Sequence, residues 1–523
     1  MPTMAVCRCN PSRLCKLGLL AFFACSITVS ATDPGNPSPT PVFAINTDNG
    51  HFFVSRSAEE MNLKGLHAWV DQYANTQLTH MFICPSARRA SFRSKTREAI
   101  WDPVDGEEPQ HRWPQNAKRL YEAGIDPYQV WIDRCREQKL SPWLTMRMND
   151  LHQAEDRSNF QHSSFWLDNL HFWREPDHPH GSALNYAHPE VRQYQLAFVK
   201  ELLERYDPDG LELDWMRNPQ HLSPGKAFEE RGHLTEFVRD VRTLLDQWSH
   251  TRGHRILLSV RAPAHPDACA GVGIDALAWA NQGLIDVIVA TPFYFSTDFD
   301  IPFTLWRKRL ANAPQAILLL GGVESTARPW IEGTPVGNSL ENLYGFTAVG
   351  HHQGFDGIYL FNWMDANDWP VSDRNYRTLL KSGLGANVVA KSSRHHPVCF
   401  HDTVPLDFPS GTQLPVDASA ATTFQIQVGP KPNAGTVSVI VGLAERAGLK
   451  EARFRAHLNG EPLSQAIDFP NLREIGGDSV RGLSFSCPRH LVTSDYNAFT
   501  IQQEDKTLPQ KIVWVELRVE MVK

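Results

Sequence analysis

The sequence predicts a (β/α)8 barrel followed by a smaller all-β domain. Three observations lead there. From Val42, short apolar runs rich in β-branched residues alternate with stretches of helical periodicity, eight times over about 340 residues. The turn after the first run, Asn46-Thr47-Asp48-Asn49-Gly50, lacks the Gly-rich phosphate turn of a doubly wound open sheet. Beyond about Lys391 the helical periodicity stops, and only short alternating strands follow.

The chain begins with a basic flank, Arg8, Arg13 and Lys16, and an apolar run from Leu17 to Val29. That length suits the core of a secretory signal and is too short to span a bilayer. Val29-Ser30-Ala31 offers small residues for cleavage, so residues 1–31 are expected to be a signal peptide and 32–41 a Pro/Ser/Gly-rich linker. Cys25 would suit a lipoprotein anchor, but Phe22 and Phe23 do not fit a lipobox. The expectation is export to the periplasm or beyond, with no membrane contact after cleavage. Losing three positive charges and no negative one takes the formal charge from −7 to −10, which argues against nucleic acid as a partner. Five of nine cysteines remain, and Cys399 and Cys487 either pair or stay as buried thiols.

The strands are expected at Val42–Asn46, Leu78–Cys84, Pro142–Asn149, Gly210–Trp215, Ile256–Arg261, Asp286–Phe293, Ala316–Gly322 and Gly357–Trp363. The helices include Pro127–Gln138, Pro189–Tyr206, Leu234–Ser249, Ile274–Gln282, Phe303–Leu310, Leu340–His351 and Asn375–Ser382. Together they make residues 42–390 the barrel. Two connections are unusually long, about Pro85–Asp126 and Asp150–His188. The second carries Phe165, Trp166, His171, Phe172, Trp173, His178, His180 and Tyr186, which form either a local core or stacking platforms. Residues 391–523 read as a β-sandwich that braces the barrel.

Reactive groups of such barrels come from the C-terminal ends of strands. On the fourth strand, Gly210-Leu211-Glu212-Leu213-Asp214, side chains alternate, so the leucines face the helices and both acids face the lumen. Asp214, nearer the mouth, is the first catalytic candidate. Glu212, one layer deeper, is expected to orient a neighbour or pair with an arginine. A second acid is sought at other strand ends: Glu324 after strand seven first, then Asp365 after strand eight, with Asp298 and Asp300 as weaker choices. A structural alternative for Glu324 is an ion pair with Arg328. Arg147, Arg217 and Arg261 should cluster at the mouth, either balancing these acids or, in surplus, binding an anionic group. Asn46, Trp215, Tyr294, Asn362 and Trp363 complete the expected lining. The histidines lack zincin spacing, there is no Gly-x-Ser-x-Gly elbow, and neither a metal nor a cofactor is expected.

The run Leu184-Asn185-Tyr186-Ala187-His188-Pro189-Glu190-Val191-Arg192-Gln193-Tyr194, followed by Tyr206-Asp207-Pro208-Asp209-Gly210-Leu211-Glu212-Leu213-Asp214, resembles the family-10-like glycosyl hydrolase domain. Members of that family carry an N-P-x-V-R-x-Y helix start leading into Y-D-V-D-G-I-H-x-D on strand four. The close match covers about thirty residues, and the order of strands extends it over the barrel. The resemblance implies a secreted barrel hydrolase with Asp214 at the catalytic position. This chain departs in having Glu212 where histidine is common, and in Trp215-Met216-Arg217. Strand four also looks like that of chitinases, but their decisive glutamate falls on Met216.

The expected function is therefore a glycoside hydrolase with two carboxyl groups acting on an oligo- or polysaccharide, an anionic one if the arginines are in surplus. The alternatives are a barrel that binds glycan without cleaving it, and a lyase using arginine and Tyr294 on a uronate. Oligomeric state has no signal in the sequence.

Overall fold

The computed structural model describes residues 41–104, 106–176, 181–293, 296–361, 363, 373–401, 412–418, 421–504 and 508–521. The expected signal segment, Tyr294, Asn362 and Asp365 lie outside the described residues, as do His178 and His180.

Eight parallel strands close into a barrel. They are β1 (Val42–Thr47), β2 (His80–Ile83), β3 (Ser141–Arg147), β4 (Gly210–Asp214), β5 (Leu257–Pro263), β6 (Val287–Thr291), β7 (Leu318–Val323) and β8 (Gly357–Leu360). Each expected run contributes one strand. Several end earlier than the apolar pattern does, because the last residues of the run already turn outward into the mouth loops. The helix expected at Leu234 starts at Ala227, where Glu229 and Glu230 in its first turn favour the helix dipole. Helices Leu63–Asp71 and Arg112–Glu122 are additional to those expected; the second stands inside the long connection after β2.

Register fixes the layers of the lumen. Across β3, β4 and β5, Thr145, Glu212 and Ser259 are paired neighbours, and Arg147, Asp214 and Arg261 form the next layer towards the mouth. The rest of the lumen is filled by apolar side chains including Phe82, Trp143, Val289 and Tyr359. Gly210 is required at the start of β4, since a Cβ there would lie 2.3 Å from the ring of Trp143. Leu211 and Leu213 join the outer core with the helices, as alternation demands.

The C-terminal region forms antiparallel sheets from β9 (Arg394–Pro397), β10 (Thr422–Gln427), β11 (Thr436–Leu443), β12 (Phe454–Leu458), β13 (Arg481–Cys487), β14 (Tyr496–Gln503) and β15 (Lys511–Glu520), with shorter strands at their edges. After β12, Asn459 and Gly460 have φ of 53° and 89°, the left-handed pair that a tight hairpin turn needs. Trp514 and Ile440 of this region belong to the same apolar core as the barrel. β9 runs so close to the helix Leu340–Gln353 that a Cβ on Gly345 would meet the His395 carbonyl oxygen at 1.9 Å. Cys399 and Cys487 are both buried free thiols, so the expected alternative of a disulfide is set aside.

Candidate active site at the barrel mouth

Asp214 points into the lumen from the end of β4 and is 1% exposed. Arg261 Nη1 donates to both of its oxygens at 2.9 and 2.8 Å, and the Met216 amide donates to Oδ1 at 3.0 Å. Arg217 Nε stands 3.7 Å from Oδ2. Burial pulls the Arg261 guanidinium down, but the charges of Asp214 and, further off, Glu212 and Glu324 outweigh it and hold it above its ordinary value. Arg217 and Arg261 flank the ring of Phe361, with guanidinium carbons 4.4 and 3.7 Å from its centre.

Asp48 was not among the expected site residues, yet it joins this cluster. It accepts from Arg147 Nη2 at 2.5 Å and Arg217 Nη2 at 3.3 Å. Burial would raise its carboxyl, but Arg147 and Arg217 win and hold it well below the usual carboxylate range. Arg147 also pairs with Asp150 at 2.5 Å. Asp48 keeps 23% side-chain exposure, against 2% for Asp214, so the cluster meets solvent at Asp48 and not at Asp214. Two signals for it were present: it lies two residues beyond Asn46, hence on the same face, and it is an acid at a strand end. Phe361 follows Tyr359 by the same interval.

The layer below is a hydrogen-bonded chain. Asn46 Nδ2 donates to the Tyr359 hydroxyl at 2.8 Å, and Tyr359 donates to Glu212 Oε1 at 2.6 Å. Thr145 donates to the same oxygen at 2.7 Å, and Ser259 approaches Oε2 at 3.4 Å. Burial first, then the charge of Asp214, pushes the Glu212 carboxyl up to about 7. Asn46 is thus occupied beneath the mouth instead of lining a subsite.

Glu324 follows β7, buried at 2%, and its backbone carbonyl accepts from Thr297 at 3.0 Å and Asn338 at 2.8 Å. The Arg328 expected as its partner donates Nη1 to the carbonyls of Ile331 and Gly333. The ribbon that follows Glu324, Thr326–Ala327 paired with Val336–Gly337, touches the C-terminal sheets, where Gly477 donates to the Thr334 carbonyl at 2.8 Å.

The expectation for Trp215 is corrected. Trp215 is fully buried and faces outward, its ring among Tyr186, His221, Phe237 and Trp279, so it offers no face to a ligand. Alternation already required this, because Trp215 follows an inward Asp214. Of the two readings of the mouth arginines, the balancing one fits the contacts: Arg147, Arg217 and Arg261 pair with Asp48, Asp150 and Asp214. Trp363 is 1% exposed and sits in the core beside the mouth. Phe165, Trp166, Phe172 and Trp173 of the long loop form a local core, with Trp166 tilted against Trp173 at 4.4 Å and Phe165 stacked on Tyr194 at 3.9 Å. No group of three or more His, Cys, Asp or Glu placed to hold a metal occurs among the described residues. No described helix is long and apolar enough to cross a membrane.

No family model matches the sequence, and no curated protein matches it. Solved structures do show similarity. One is a cycloisomaltooligosaccharide glucanotransferase from Paenibacillus sp., at 11% identity and TM-score 0.33, covering 91% of this chain and 57% of that one. Another is an alpha-L-fucosidase from Paenibacillus thiaminolyticus, at 11% identity and TM-score 0.39, covering 61% and 45%. A third is the PgaB glycoside hydrolase domain from Bordetella bronchiseptica, at 10% identity and TM-score 0.39, covering 66% and 99%. The chain thus spans about half the length of the first two, and at this identity the likeness concerns the fold alone.

Proposed function

We propose that the protein is a glycoside hydrolase of the family-10-like kind, with residues 42–390 as its catalytic barrel and 391–523 as a brace. The observation that carries this reading is Asp214, turned into the lumen at a strand end and clamped by Arg261, whose guanidinium also feels the charge of Glu324. Bound by an arginine in this way, the carboxylate is fixed in orientation. It is suited to stabilise an oxocarbenium-like centre, either by bonding to the anomeric carbon or by drawing a proton from an attacking water. Glu324, three strands away around the ring, is the group that gives its proton to the departing glycosidic oxygen. The sugar approaches past Asp48. With the three mouth arginines already matched by aspartates, an uncharged glycan is the favoured substrate class. The basic flank and apolar run of residues 1–31 support export through a Sec-type signal.

Release of reducing ends from a panel of polysaccharides tests the pair. Asp214→Asn and Glu324→Gln should each lower kcat/KM by about 10³-fold or more, roughly 4 kcal/mol of transition-state stabilisation, with the fold retained. Turnover like that of the unmodified protein in either variant removes that residue from the pair. A second reading, a barrel that holds glycan without cleaving it, is favoured by one observation, the 1% exposure of Asp214. It requires that the unmodified protein binds a glycan of the panel yet releases no reducing ends from it.

A further inference from the structure

At the C-terminal end of β3, the long connections after β2 and β3 and the helix Pro189–Arg205 line a cavity of about 20 Å3. Arg88, Arg97 and Arg147 all line it, together with Asp150, Trp166 and Tyr194. Arg88 is 7% exposed and Arg97 6%. Among the described residues neither has a carboxylate within ion-pair distance. Arg88 uses Nη1 on the His152 carbonyl at 3.2 Å and on His162 Nδ1, and lies 4.2 Å over the ring of Trp166. Arg97 uses Nη1 on the Ala87 carbonyl at 2.7 Å and Nη2 on Gln195 Oε1, over the ring of Phe198. That leaves Arg88 Nε and Nη2, Arg97 Nε and Arg147 Nε as buried donors without an acceptor among the described residues.

Buried donors without acceptors are costly, and buried cations without counter-charge more so. The lining holds three guanidinium groups and one carboxylate, Asp150. Asp48 and Asp150 hold Arg147, and Asp150 gives its other oxygen to His152. His162 supplies no further charge, since burial, with Arg88 beside it, pulls it down to about 4. Burial likewise draws the Arg88 guanidinium down to about 10, against the more distant pull of Asp150 and Glu155. The space suits one particle of about the size of a water molecule. The charge favours a single negative one.

We propose that this cavity is a binding site for one monovalent halide ion, chloride in the native setting, held by Arg88 and Arg97 beside Arg147. The ion balances the excess guanidinium charge and ties the two long connections together. This inference is independent of the chemistry at Asp214.

The test follows the melting temperature of the full chain at constant ionic strength as sodium chloride replaces sodium methanesulfonate, whose anion is too large for the cavity. A saturable rise of about 2–4 °C is expected, as for a ligand near a hundred times its Kd that binds only the folded state. Arg88→Met should abolish that rise. Equal melting temperatures in the two salts, or an unchanged response in Arg88→Met, overturn the proposal and leave the cavity to water. Because that variant removes a buried side chain and can fail to fold, crystals of the unmodified protein grown in bromide provide a second reading. An anomalous peak in contact with Arg88 and Arg97 supports the site, and its absence at high bromide refutes it.

Discussion

The two halves of the barrel mouth balance their charges in different ways. Around β1, β3, β4 and β5, three arginines and three aspartates contact one another directly, with Arg147 between Asp48 and Asp150, and Arg261 on Asp214. Around the loop after β6, Asp298 and Asp300 share His401, at 3.3 and 3.8 Å. Tyr496 of β14 donates to Asp300 at 2.7 Å. The first half has its charges fixed, because each carboxylate is held by a guanidinium that does not titrate. The second half is built of groups that do titrate. Burial and then the charge of Asp298 push Asp300 up to about 6, and Asp298 draws His401 up to about 9 against burial. A permanent electrostatic frame thus faces a region whose charge varies with pH, and the acids proposed for catalysis stand one on each side.

The largest effect should come from breaking the fixed half. Arg261→Met leaves Asp214 buried without its main partner, which should cost about 3–5 kcal/mol of stability by urea denaturation. Adding Asp214→Asn to that variant should restore much of the loss, because the unpartnered carboxylate is then gone. A loss below about 1 kcal/mol in Arg261→Met would mean that water reaches Asp214 freely, contrary to its burial.

How much of this was legible beforehand differs between the halves. Alternation along β4 placed Glu212 and Asp214 in the lumen, and register then brought Arg147 and Arg261 beside Asp214, each readable from a period of two. The same rule applied to β1 and β8 would have marked Asp48 and Phe361, and would have excluded Trp215. The partners of Asp300 could not be read this way. Tyr496 comes from the C-terminal sheets and His401 from a loop, and contacts across such sequence separations depend on how those sheets pack against the barrel. The small cavity beside Arg147 was equally hidden, since nothing in the spacing of Arg88 and Arg97 along the long connection brings them together with Arg147.

Beneath the fixed half lies one group that does titrate, and it sharpens the comparison. Glu212 is pushed up to about 7, so the folded protein holds its proton more tightly than the unfolded chain. Its contribution is complete below the ordinary carboxylate range and is lost as pH rises through about 7. Glu212→Gln keeps an acceptor for Tyr359 and Thr145 and removes the titration. The variant should be more stable than the unmodified protein above pH 8, by about 2–4 °C in melting temperature, with the advantage vanishing near pH 4. A constant offset across that range would show that Glu212 does not change its charge there.

The smallest effect belongs to the titrating half. The Tyr496 hydroxyl donates to Asp300, and a donor favours the ionised carboxylate. Asp300 is protonated below about 6 and ionised above it, so the bond is stronger at pH 8 than at pH 5. Tyr496→Phe should therefore cost about 0.5–1.5 kcal/mol at pH 8 and less at pH 5, a hydrogen bond to a half-exposed group being worth no more. The same substitution should leave the stability effect of Arg261→Met unchanged, since the two halves share no described contact between these residues. A pH-independent loss, or coupling between Tyr496→Phe and Arg261→Met beyond about 0.5 kcal/mol, would mean that the fixed and titrating halves form one network. In that case the charge of the C-terminal docking contact reaches Asp214, and the second domain does more than brace the barrel.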